Sequence, residues 1–129
     1  MKILKFGGTS VSRPQKIIEI IKKHKDVAVV LSAFSGITNK LIDAANLAEK
    51  KDDNYLGILK EIKSTHLSFA KKVKISDSAI KIVKENLKEL EKTLHGVYLI
   101  IETSTKTMDL IMSFGERLST HIISHSIKN

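Results

Sequence analysis

The segment KILKFGGTSVSRPQKIIEIIKKHKDVAVVL, residues 2–31, decides the fold. It opens with the short run Lys2–Phe6, which predicts a strand, and a glycine turn follows. Pro14 stands where the first turn of a helix tolerates proline, and four isoleucines after it give that helix a buried face. The β-branched run Val27–Leu31 predicts a second strand, buried on both faces. A strand, a helix and a strand at this spacing predict a βαβ unit with parallel strands and a right-handed crossover.

The remainder of the chain has mostly helical patterns. A helix is expected from the turn at 32–39 to about Lys51, and residues 55–73 carry an apolar stripe at spacings of four and three. Ser76 and Asp77 predict the start of a further helix, which should pack against the preceding one as an antiparallel hairpin. A last helical pattern begins near Lys106.

The segment 97–101, VYLII, has two interpretations. Its β-branched and aromatic residues favour a strand, and Gly96 just before it could end the preceding helix. Alternatively, the helix continues past Gly96.

Composition limits the class of protein. A length of 129 residues fits one domain, and the absence of cysteine excludes disulfides and cysteine-based metal sites. Neither a signal peptide nor an apolar run near the ~20 residues of a membrane span is evident. We therefore expect a cytoplasmic protein without a membrane partner.

The net charge of +8 raises nucleic acid as a partner. However, only Arg13 and Arg117 are arginines, and aromatic residues make up 5% of the chain, whereas nucleic-acid readers use bidentate arginines and stacking rings. The lysines are spread along helix faces, so we expect no nucleic-acid partner. A basic nucleic-acid binder remains one alternative.

Residues 5–10, KFGGTS, form the first segment that could carry chemistry. Without Cβ atoms, Gly7 and Gly8 can approach a phosphate closely and offer N–H donors, and Lys5 adds a full positive charge. The start of the following helix would add partial positive charge. An ordinary strand–turn–helix corner with a surface lysine explains this segment equally well.

Two further segments are less specific when taken singly. The loop 32–39 should lie beside the glycine turn, because both follow parallel strands, and Ser32, Ser35 and Thr38 offer hydroxyl donors to a carboxylate. In the segment 113–119, Gly115 suggests a bend or a close approach, and Glu116 could bind an ammonium group. The alternatives are a helix-capping turn and a kinked helix with Glu116 in a local ion pair.

Taken in this order, KFGGTSVS, VVLSAFSGITN and SFGERLS closely resemble the signature segments of aspartate kinases, which belong to the amino-acid kinase family. The resemblance implies an α/β fold, a three-layer αβα sandwich with a mainly parallel sheet and a helical-hairpin insertion. Residues 1–129 would form the N-terminal portion of the catalytic domain. It also implies transfer of the γ-phosphoryl group of ATP to aspartate, in amino-acid biosynthesis. In relatives the region matching residues 97–101 continues as helix.

The resemblance also implies roles for single residues, which we expect to line one crevice. Lys5 would be catalytic and, with Phe6, Gly7 and Gly8, would bind the nucleotide. Ser32 and Thr38 would contact aspartate, and Glu116 would bind its α-amino group. ATP with Mg²⁺ would be a substrate, with no tightly bound cofactor and no metal held by the chain itself.

One departure from the family pattern is the lack of its later Gly-Arg-Gly-Gly-Ser-Asp-like segment, which supplies an arginine for the aspartate carboxylate. We therefore expect this chain to be a fragment or a split gene product, inactive alone. Uncovered strand edges should make it a homo-oligomer. A non-catalytic association module derived from the same fold is the second alternative.

Overall fold

The computed structural model describes residues 1–127. In chain order its elements are β1 (Lys2–Phe6), α1 (Gly8–Val11), α2 (Pro14–Lys22), β2 (Val27–Leu31), α3 (Ile37–Glu49), α4 (Tyr55–Lys72), α5 (Asp77–Ile100) and α6 (Thr105–Ile127). No helix within residues 1–127 is both long enough and apolar enough to cross a membrane.

The two strands form a parallel pair. The register aligns Lys2 with Val27 and Phe6 with Leu31, so the strands pair over their full length and end at the same edge. The predicted strands and the predicted βαβ unit are therefore confirmed, including the bounds of both strands.

The two faces of this sheet differ in their surroundings. Side chains alternate along a strand, so Phe6 and Leu31 share one face, and both pack against the helical core. On the other face, Ile3 is 63% exposed and Val30 is 52% exposed. The prediction that β2 is buried on both faces is therefore wrong, because the helices within residues 1–127 cover one face of the sheet.

The chain after β1 forms one short helical turn, α1, at the predicted glycine turn, and the predicted helix follows it. The single turn α1 comes first, and α2 begins at Pro14, which occupies the first helical positions as expected. The longer helix therefore does not begin at the glycine pair. Ile17 and Ile21 give α2 its buried face.

Helices α4 and α5 form the predicted antiparallel hairpin. The ring of Tyr55, at the start of α4, lies 5.4 Å from that of Tyr98, near the end of α5, and Lys63 forms an ion pair with Glu91 between them. Ser76 caps α5, since its hydroxyl accepts a hydrogen bond from the amide of Ala79 at 3.2 Å.

The segment that had two interpretations is helical as far as Ile100. Helix α5 continues through Gly96, so both the strand alternative and a helix end at Gly96 are wrong. The physical reason is burial, because Val97 continues the buried stripe of Leu90 and Leu94 at helical spacing. Helical packing outweighs the β-propensity of this run. The helix ends at Ile101, which has a left-handed conformation with φ of +62°.

Candidate active site

The glycine turn after β1 and the loop after β2 are in direct contact, as the parallel strands require. A Cβ atom added at Gly8 would lie 3.2 Å from the carbonyl oxygen of Ala33. Ser12 joins the same two segments, because its hydroxyl donates to the Gly8 carbonyl at 3.0 Å and accepts from the Ser35 amide at 2.8 Å. Gly8 thus has a packing reason to lack a side chain.

Gly7 is different from Gly8. A Cβ atom added there would meet no atom within 4 Å, and its φ of −80° suits any residue. Neither packing nor backbone conformation within the described residues therefore explains this glycine. The first amides of α1 have no helical acceptor, since the bond of Val11 to the Gly7 carbonyl is the first in the turn. Gly7 thus leaves open space beside free N–H donors.

Lys5 and Phe6 occupy opposite faces of the sheet. Lys5 pairs in register with Val30, and its side chain is exposed on the uncovered face. The Phe6 side chain is half-buried against the core, and its carbonyl accepts a hydrogen bond from the Ser32 amide at 3.1 Å. The Phe6 carbonyl therefore joins the end of β1 to the loop after β2.

The loop after β2 carries the predicted serine and threonine. Ser32 is exposed, and its hydroxyl has no partner within residues 1–127. Gly36 precedes α3 with φ of +80°, a conformation that favours glycine. Thr38, half-buried, lies in the first turn of that helix.

Glu116 lies on α6 with its side chain exposed. Its neighbour Arg117 donates to Asn86 at 3.0 Å and to Glu89 at 3.3 Å. The alternative of a local ion pair at Glu116 is not found in the described part of the chain, and its carboxylate is open to a cation.

Phe6 and Glu116 line different cavities. Glu116 lines an open groove of about 570 Å³, and Phe6 borders a cavity of about 310 Å³ with no lining residue in common. A single crevice containing all the predicted residues stays a prediction.

Helix α6 is nevertheless fixed to the loop after β2. The buried hydroxyl of Ser119 donates to the Ser32 carbonyl at 2.8 Å. The Glu116 carbonyl lies 3.2 Å from the Ser119 hydroxyl oxygen. One turn earlier, Gly115 packs against the side chain of Ala33. The close approach predicted at Gly115 is therefore confirmed, and it brings the Glu116 backbone next to that of Ser32.

Two serines that link these segments were missed by sequence reasoning. Ser12 follows Gly8 by four residues, and Ser119 follows Gly115 by four. Residues four apart share one face of a helix, so a hydroxyl at this spacing from a close-packed glycine points at the same neighbour. That spacing was the available signal.

A buried histidine lies beneath the loop. The Phe34 ring stacks on Phe69 at 4.2 Å and tilts against His66 at 5.5 Å. His66 donates from Nδ1 to the Ile62 carbonyl at 2.6 Å, and its Nε2 has no partner within residues 1–127. Burial lowers the pKa of His66 from 6.5 to about 4, although the Ile62 bond acts in the opposite direction.

A glycine turn and a polar loop at the carboxyl ends of adjacent parallel strands are typical of α/β proteins that bind phosphorylated ligands. The model of the amino acid kinase family matches residues 1–129, and the chain belongs to that family. Among residues 1–127, no group of three or more His, Asp or Glu side chains could hold a metal ion.

Within the amino acid kinase family, the chain is similar to aspartokinases. The chain is 34% identical to an aspartokinase of Candida albicans over 98% of its length, and 35% identical to one of Saccharomyces cerevisiae over 91%. It spans about a quarter of these relatives, 26% of each. The structure of E. coli aspartokinase III in complex with aspartate and ADP superimposes with a TM-score of 0.87 at 25% identity, over 99% of this chain and 29% of that one. The fold is therefore the amino-acid kinase fold.

Proposed function

We propose that this chain provides the part of an aspartate kinase that binds the acceptor and the transferring phosphoryl group. The reaction moves the γ-phosphoryl group of ATP to the side-chain carboxylate of L-aspartate, giving 4-phospho-L-aspartate and ADP. The observation that carries the proposal is the open space at Gly7 beside the Ser32 loop, in a chain similar to a structure that contains aspartate and ADP.

The nucleophile is an oxygen of the substrate's own carboxylate. The aspartate side chain has a pKa of about 3.9, so it is ionised at neutral pH and no general base is needed. The oxygen forms a bond to the γ-phosphorus while the bond to the bridging oxygen breaks, and the electron pair leaves with ADP. Catalysis then depends on positioning and on stabilising negative charge.

Lys5 and the glycine turn would meet that charge. The Lys5 ammonium stands at the carboxyl end of β1, one residue from the turn, and its side chain is exposed. Gly7 leaves room for phosphate oxygens to reach backbone N–H groups. Lys5 would therefore act on the transferring phosphoryl group, and Phe6, Gly7 and Gly8 would be the other nucleotide-binding residues.

The acceptor would be held by the other two segments. The hydroxyls of Ser32 and Thr38 would donate to a substrate carboxylate, and the exposed carboxylate of Glu116 would bind the α-amino group. These three groups match the charges of aspartate, with donors for its carboxylates and an acid for its ammonium.

Mg²⁺ would enter as part of the ATP substrate, bridging its phosphates. A cytoplasmic location and a homo-oligomer stay predictions. Some plant relatives are named chloroplastic, such as aspartokinase 3 of Arabidopsis thaliana.

Binding and activity are tested separately. Amide NMR of the chain titrated with L-aspartate, and then with ADP, should shift residues 32–38 with the first ligand and residues 5–8 with the second. Activity is tested by substituting this chain for the matching segment of the C. albicans aspartokinase and measuring aspartate-dependent ADP release. Shifts caused equally by glutamate or succinate would contradict recognition of aspartate, and a folded chimera without activity would contradict the kinase assignment.

A further inference from the structure

We propose that Ser119 is a positioning residue, which acts through Ser32 to set the affinity for the phosphoryl acceptor, L-aspartate. The inference rests on the proposed function, since Ser32 is there the contact to aspartate. It assigns a role to a side chain that does not itself reach the open surface, because Ser119 is fully buried.

The geometry favours the Ser32 carbonyl as the hydrogen-bond acceptor for the Ser119 hydroxyl. A hydroxyl carries one proton, and two carbonyl oxygens lie within reach, that of Ser32 at 2.8 Å and that of Glu116 at 3.2 Å. The shorter contact joins α6 to the loop after β2, across 87 residues of sequence. Removal of the Ser119 hydroxyl would leave the Ser32 carbonyl without its donor from α6.

Ser32 is held on both sides of its Cα atom. Its amide donates to the Phe6 carbonyl at 3.1 Å, and its own carbonyl accepts from Ser119. Its side chain remains free, with no partner in the described residues. Two fixed backbone groups therefore set the position of the Ser32 Cα and Cβ atoms, while the hydroxyl stays available to a ligand.

Loss of the Ser119 hydroxyl would release one of these two anchors. A misplacement of about 1 Å can lower a catalytic rate by as much as ~100-fold. Because the Phe6 anchor remains, we expect a smaller effect, of about tenfold, on the affinity for aspartate. The glycine turn keeps its contact with the loop after β2 through Ser12. The affinity for ADP should therefore change less than twofold.

Helix α6 offers a matched control. Ser126 is also buried, at 5% exposure, but its hydroxyl donates to the Ile123 carbonyl within the same helix. Ser126→Ala therefore removes a buried hydroxyl of the same kind without removing a bond between elements. A loss of stability alone should change the affinity for L-aspartate alike in both variants.

The experiment compares wild type, Ser119→Ala and Ser126→Ala in the 129-residue chain. Amide hydrogen exchange at Ser32 should accelerate about tenfold in Ser119→Ala, beyond any change in global stability, and remain within about twofold in Ser126→Ala. The affinity for L-aspartate, measured by titration, should fall about tenfold in Ser119→Ala alone, and the affinity for ADP should stay unchanged. Equal changes in the two variants, or equal loss of both ligands, would overturn the positioning role.

The two readouts also separate this inference from the proposed function. If wild type binds no aspartate, the proposed function fails, and the exchange contrast at Ser32 still decides whether Ser119 fixes the loop. If wild type binds aspartate and Ser119→Ala binds it equally well, the proposed function stands and the positioning role is overturned.

Discussion

A Cβ atom at Gly115 would lie 2.7 Å from the Cβ of Ala33, closer than two such atoms can approach. Helix α6 therefore packs with its backbone directly against the loop that follows β2. This contact connects the helix that carries Glu116 with the loop that carries Ser32. The two segments are about 80 residues apart in sequence, and a single missing methyl group permits their contact.

Gly115→Ala should destabilise the fold by about 1–2 kcal/mol, because overpacking outweighs the gain in helix propensity. Gly96→Ala is the matched control. It also lies within a helix, but its added Cβ would meet nothing within 4 Å, so stability should rise by about 0.5–1 kcal/mol. Urea denaturation monitored by circular dichroism measures both changes. Equal stabilisation by the two substitutions would show that the Ala33 contact does not constrain the structure.

His66 should make the fold less stable as the pH falls from about 6.5 toward 4. Its folded-state pKa of about 4 lies below the ordinary 6.5, so the unfolded chain takes up this proton first. The associated stability is fully present above pH 6.5 and is lost in that interval. At ~1.4 kcal/mol for each pKa unit, the loss is about 3 kcal/mol.

The test for His66 is denaturation between pH 7 and 4. His66→Leu should flatten the pH dependence by about that amount relative to wild type, whatever its effect at pH 7. His95→Gln, which removes an exposed histidine, is the matched control for loss of a histidine. An identical pH dependence in wild type and His66→Leu would contradict the buried neutral state of His66.

Lys5 and Glu116 should affect different kinetic parameters in an active chimera. Lys5 is placed to meet charge that develops on the phosphoryl group, so Lys5→Ala should lower kcat about a hundredfold or more and change the aspartate KM little. Glu116→Ala should act mainly on the aspartate KM, because it would contact the ground-state ammonium. Steady-state kinetics with varied aspartate distinguishes the two roles. The reverse pattern would contradict both assignments.

The uncovered face of the sheet should make the 129-residue chain self-associate. Ile3 and Val30 are more than half exposed there, at 63% and 52%, and exposed apolar strands recruit other chains. Val30→Lys should shift the chain toward monomer in light scattering across a dilution series. Leu56→Lys is the control, since Leu56 is equally exposed, at 51%, but lies on a helix. A monomeric wild type at high concentration would refute this prediction.

Much of the local structure could be predicted from the sequence. Both strands, the cap at Ser76 and the antiparallel hairpin follow from short-range patterns, because strand propensity, side-chain capping and helical periodicity depend on neighbouring residues. The family resemblance was also carried by short segments. The glycine turn after β1 and the loop after β2 lie side by side because parallel strands end at a common edge.

Tertiary structure decided what depends on distant neighbours. The helical state of residues 97–100 follows from the burial of Val97, and local propensity does not predict that burial. Exposure of one sheet face depends on which elements cover it, and so does the burial of His66 that lowers its pKa. The bond from Ser119 to Ser32 joins residues 87 positions apart. Sequence pattern fixed which residue types were available, whereas packing decided which of them meet, because burial and contact are properties of the folded chain as a whole.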